Sequence, residues 1–217
     1  MTTWDPALHS LLAFLNIAPI GIYFLVIGLI NSHSRPLRLS SRTDFVALTS
    51  VLAPFVIWPI PALAAARQWT LLLAGLVLAA IAFWRLLPRP HAGWVIYNIS
   101  EGRWRSALEA AARAAGIVGK WHGRTWQDAA GELSFSYTTF SQLRNVSVQI
   151  QADGGNVASH AERIGARLDA QFERMEQLPS ASGALLLIVG ILVTLFPVWL
   201  LGRHAHDVAQ AVARLFG

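Results

Sequence analysis

Cysteine is absent from the chain, and Lys120 is its only lysine. Without cysteine there is no disulfide, no thiolate metal site and no cysteine nucleophile, and the redox compartment stays open. Charge is scarce as well, at 13% of residues against about a quarter in an average soluble domain. The scarcity is uneven. Residues 8–30, 45–65, 69–87 and 183–202 hold a single charge among them, Arg85, at the end of the third run. No ionisable side chain therefore sits mid-run, where a proton or ion pathway needs one. No histidine sits there either, which argues against a membrane cytochrome. The N-terminus MTTWDPALHS lacks a basic region, and no small-residue cleavage site follows its apolar run. That run is expected to stay as an anchor.

What is present is hydrophobicity, at 54% of the residues. Each of the four apolar runs is about 20 residues long, the length a helix needs to cross a hydrocarbon core of about 30 Å. The expected fold is an α-helical polytopic membrane protein with four transmembrane helices and an inserted α+β domain. A membrane domain over 1–87 carries helices at about 8–30, 45–65 and 69–87. A soluble domain follows over 88–182, then a fourth helix over 183–202 and an amphipathic tail over 203–217. Arg35, Arg38 and Arg42 follow the first span, whereas Arg67, Arg203 and Arg214 lie on the other side. The positive-inside rule then places the soluble domain in the cytoplasm and both termini outside, in a multi-pass protein of the cell membrane. Trp69, Trp84 and Trp199 mark span ends, where an indole prefers the headgroup layer.

The second run, VLAPFVIWPIPAL, spends three backbone donors on Pro54, Pro59 and Pro61. Each proline in a helix removes one intrahelical bond and bends the axis. In lipid the freed carbonyl must find another donor. The first run, NIAPIGIYF, offers an irregular counterpart in Asn16, Pro19 and Gly21. These six residues are read as helix-packing positions, or else as the lining of a small oligomeric pore.

The polar segment reads as strand, helix, two or three strands, then helix. WVIYNIS is a buried strand rich in β-branched and aromatic residues. Ser100 is placed to cap a helix from Glu101 to about Ala115, closed by Gly116 and Gly119. LSFSY and NVSVQIQ alternate with period two, the mark of half-buried antiparallel strands. Asn156 is placed to cap a second helix whose Ile164, Leu168 and Phe172 form an apolar stripe. That stripe is expected to pack on Phe135, Tyr137, Val148 and Ile150. The element order looks like a ferredoxin-type two-layer sandwich, a fold that by itself specifies no activity.

Chemistry-bearing patterns are few. His204, His206 and Asp207 form the one histidine cluster, short of a complete ligand set for a metal. His122 and Asp128 flank a turn without a nucleophile beside them. The sequence contains no phosphate-binding loop and no nucleophile elbow, so no catalytic residue, cofactor or metal is expected. Basic and acidic residues nearly balance over 88–182, and without a basic stripe nucleic acid is not an expected partner. The expected function is a non-enzymatic integral membrane subunit whose soluble domain mediates assembly, scaffolding or regulation of a membrane complex. Its expected partners are the lipid bilayer and either further copies of the chain or other membrane-protein subunits.

Overall fold

The structure is a computed structural model and describes residues 6–57, 59–152, 157–176 and 180–216. In chain order the elements are α1 (Pro6–Ser32), β1 (Leu37–Ser40), α2 (Ser41–Ile57), α3 (Pro59–Ala65) and α4 (Trp69–Leu86). Next come β2 (Gly93–Tyr97), α5 (Glu101–Ala114), β3 (Gly119–His122), β4 (Thr125–Asp128), β5 (Leu133–Phe140) and β6 (Asn145–Ala152). The chain ends in α6 (Val157–Glu173), α7 (Ala181–Arg203) and α8 (Ala205–Phe216). Two compact units result: Met1–Ile27 with Ala47–Leu86 and Leu185–Gly217, and Gly28–Val46 with Leu87–Ala184.

Among the described residues, three helices are long and apolar enough to cross a membrane, over Phe14–Ser32, Trp69–Leu86 and Ala181–Arg203. Their outward surfaces are apolar too. Helix α4 has no buried residue, and Leu71, Leu73, Leu78 and Trp84 all stand exposed along it. A surface of that kind suits lipid rather than water. The run expected to form one span over 45–65 is helical on both sides of Trp58, as α2 with Pro54 inside it and α3 from Pro59, while Trp58 itself lies outside the described residues.

The second unit is built on one six-stranded sheet of order β1-β2-β6-β5-β4-β3, with every pair antiparallel. This corrects the ferredoxin-type expectation, whose order is β-α-β-β-α-β. Lys120-Trp-His and Thr125-Trp-Gln pair across Gly123, φ +62°, as a hairpin of their own. Four strands therefore follow α5 in succession, and α6 is not followed by another strand of the sheet. The edge strand β1 comes from the segment between the first two apolar runs, which the sequence reading treats as a plain loop.

Helix α5 starts after Ser100, which takes the extended N-cap conformation but makes no side-chain capping bond. It stops at Gly116, φ +75°, where Gly116 N–H reaches Arg113 O at 3.0 Å and Ile117 N–H reaches Ala112 O at 2.9 Å. These paired bonds satisfy the last carbonyls, and glycine takes the left-handed position without a Cβ clash. Asn156 lies outside the described residues.

Both α5 and α6 cover one face of the sheet. Trp104, Leu108, Ile164, Leu168 and Phe172 from the helices pack in one cluster with Trp94, Ile96, Trp126, Phe135, Tyr137, Val148 and Ile150. Leu168 is 0% exposed and Phe172 3%. Truncating such a side chain costs about 2–5 kcal/mol, out of roughly 5–15 kcal/mol for a small domain. Leu168→Ala or Phe172→Ala should therefore loosen this unit while the apolar helices still enter the membrane. Limited proteolysis of membrane vesicles should show new cleavage between Arg124 and Arg174, and unchanged resistance there would remove the stripe from the core.

Candidate functional site

The residues of the irregular apolar helices do not converge on one site. Asn16 and Pro19 are half-buried in α1, and Gly21 is buried there. A Cβ on Gly21 would clash with the Thr194 hydroxyl and lie 2.8 Å from its backbone nitrogen. One turn away, a Cβ on Gly190 would meet Leu25 N at 2.7 Å. The two glycines let α1 and α7 approach backbone to backbone, the way small residues pack helices in lipid. Pro54 is half-buried inside α2, and Pro61 lies within α3. Pro59 joins Val56, Leu63, Leu71 and Leu72 around an apolar cleft of about 230 Å³ facing α4.

In the sheet unit the polar contacts concentrate where β1 joins. Arg38 grips Asp169 with two bonds, Nε to Oδ1 at 2.8 Å and Nη2 to Oδ2 at 2.6 Å. Its guanidinium also lies 5.0 Å from the Trp94 ring centroid and against Gly165, where a Cβ would come within 2.9 Å of it. Helical spacing assigns Asp169 to a solvated face of α6; the structure instead uses it to hold an edge strand. Across the same strands the Tyr97 hydroxyl donates to Asp44. Asn98, buried with φ +56°, donates from Nδ2 to His33 O at 2.6 Å. The sequence signal for this clamp is thin: Leu37 and Leu39 alternate in LRLS, but four residues are too few to read as a strand.

A second network spans α5 and the far strands. Tyr137 OH donates to Glu101 at 2.5 Å, and Trp121 Nε1 donates to Glu109 at 2.6 Å. Arg105, between those glutamates on the helix, lies over the Trp121 ring at 4.4 Å. Burial, and then the Glu101 carboxylate beside it, push the Tyr137 hydroxyl above the ordinary tyrosine pKa. Tyr137 thus belongs to the core and also closes a polar contact at its rim.

The uncovered sheet face is lined with hydroxyl and amide side chains. Thr125, Ser136 and Gln149 lie side by side across three strands, as do Gln127, Ser134 and Gln151. His122 is exposed, and Asp128 accepts the Leu133 N–H at 3.0 Å to shape the turn between β4 and β5. His204 Nδ1 is 3.6 Å from Asp207, and His206 contacts Gln210 rather than His204. Among the described residues there is no group of three side chains able to hold a metal.

No protein-family model, curated protein or solved structure matches this chain. The geometry has to speak for itself. Its clearest feature is a one-sided sheet clamped to an inter-helix strand.

Two predictions follow from these contacts. Asp169→Ala should cost about 1 kcal/mol, because Asp169 is half-exposed and water screens the pair. Arg38→Ala should cost more, since it also uncovers Trp94; thermal melts followed by tryptophan fluorescence would rank the two. Tyr137→Phe should cost about 1–3 kcal/mol at neutral pH by leaving Glu101 without its donor. The folded state holds the Tyr137 proton more tightly than the unfolded state. That stabilisation is complete below about pH 10 and fades as pH rises through the raised folded value. The stability gap between parent and variant should narrow over that alkaline range in melts taken at stepped pH.

Proposed function

We propose that the protein is a non-enzymatic membrane subunit whose sheet domain mediates assembly or regulation of a membrane complex. The observation that carries this reading is the outer edge of β3. This strand pairs with β4 on one side only, at the end of the sheet order. Val118 beside it is 70% exposed, a large apolar side chain next to unpaired backbone. Open strand edges are templates for pairing with a second chain.

A topological argument supports four crossings. Pairing of Leu37–Ser40 with Trp94–Tyr97 requires both segments on one side of the bilayer. The chain between them must therefore cross an even number of times. Helix α4 supplies one crossing, and α2 with α3 supplies the other. The sheet unit then lies on one side and both termini on the other. Arg35, Arg38 and Arg42 favour the cytoplasm for the sheet unit. The close approach of Gly21 to Thr194 favours helix packing over pore lining for that position.

The absence of cysteine makes the test clean. Val118→Cys or Lys120→Cys, oxidised in native membranes, should give a covalent dimer or a fixed heteromeric adduct. Arg163→Cys on the exposed face of α6 is the control and should give neither. If both edge variants remain solitary, assembly through this edge is wrong.

A further inference from the structure

The segment joining α1 to β1 encloses a small amphipathic cavity of about 260 Å³, lined by Leu29, Ile30, His33, Arg35, Pro36 and Leu37. Its floor is apolar and open, with Leu29 61% exposed and Leu37 41%. Leu29 and Ile30 belong to the last turn of the span Phe14–Ser32, so this floor continues the hydrocarbon-facing surface. Its rim is cationic. Arg35 is exposed three residues beyond the end of that span, and Arg89 lies three residues beyond the end of α4 at Leu86. Three residues of chain reach about 10 Å, far enough to carry a side chain into the headgroup layer. Arg42 lies at the other end of β1, beside His91, in a second cavity of about 430 Å³.

Arg38 in that second cavity is already held by Asp169. Arg35, Arg42 and Arg89 differ: among the described residues none has a carboxylate within ion-pair distance. His33 Nδ1 accepts the backbone N–H of Arg35 at 3.3 Å, which puts the proton of the neutral ring on Nε2 as an outward donor. An apolar floor joined to a span, with the uncommitted Arg35 guanidinium and His33 at its rim, matches one ligand chemistry. It fits a molecule with an acyl chain and a phosphate. From this we infer that the α1–β1 junction binds an anionic phospholipid, with acyl carbons against Leu29 and Leu37 and the phosphate on Arg35 and His33. Arg42 lies outside this cavity, in the neighbouring one.

The site does not depend on the assembly reading, and the full-length protein in mild detergent tests it. Native mass spectrometry would count bound lipid after addition of phosphatidylglycerol, phosphatidylcholine or water-soluble glycerol phosphate. Phosphatidylglycerol should be retained well above phosphatidylcholine, and glycerol phosphate should not be retained. Arg35→Gln should weaken phosphatidylglycerol retention about fivefold, the contribution of one basic residue near an anionic surface. Arg35→Lys should preserve most of it, and Arg163→Gln on α6 should leave it unchanged. Leu37→Ser should reduce retention of both lipids by removing part of the floor. Equal retention of the two lipids would overturn the proposal. So would equal losses from Arg35→Gln and Arg163→Gln, or binding of glycerol phosphate as strong as that of the lipid.

Discussion

The join between the two stretches of chain that make up the sheet unit is a short backbone ladder, the pairing of Leu37–Ser40 with Trp94–Tyr97. Two pieces of chain separated by the helices α2, α3 and α4 become one sheet through it. By itself a four-residue strand is a weak element, so its ends and its side chains are tied down separately. Arg38 reaches Asp169 on α6, Tyr97 reaches Asp44 at the start of α2, and Asn98 holds the carbonyl of His33. These contacts draw on partners far apart in sequence, and together they fix where the chain leaves the sheet toward the apolar helices.

The sheet is asymmetric across its plane and along it. One face takes Trp94, Phe135, Tyr137 and Val148 into contact with Leu108, Leu168 and Phe172, and it excludes water. The other face presents Ser, Thr and Gln, which water satisfies without a partner. At one edge β1 is fastened by side chains, whereas at the other β3 is a hairpin strand with a free flank. The strand that lies between α1 and α2 in the chain and the hairpin strand β3 therefore fall at opposite ends of the strand order.

Local patterns made part of this readable from residues alone. Alternation at Leu133, Phe135 and Tyr137 announces a strand because period two buries every second side chain. Spacing at Ile164, Leu168 and Phe172 announces a helix face for the same reason. The hairpin in KWHGRTW is harder to see, since each arm is four residues long and carries polar side chains in between. Strand β1 was not readable at all. Its identity as a strand is set by β2, some 55 residues later, and Arg38 finds its carboxylate 131 residues away. In the second apolar run the three prolines were visible, and Pro54 and Pro61 nevertheless lie within helices.

The separation between β1 and its partners has a consequence for biogenesis. Residues 37–40 leave the ribosome well before β2, β6 and α6 exist. The helices α2, α3 and α4 separate β1 in sequence from the other five strands, and all of that chain must be made before β1 can pair. Long-range pairing of this kind forms slowly because the intervening chain must first be closed into a loop. Until then the Trp94 ring lacks the Arg38 guanidinium that lies over it in the finished sheet. The strand made first is therefore among the last to find its place in the sheet.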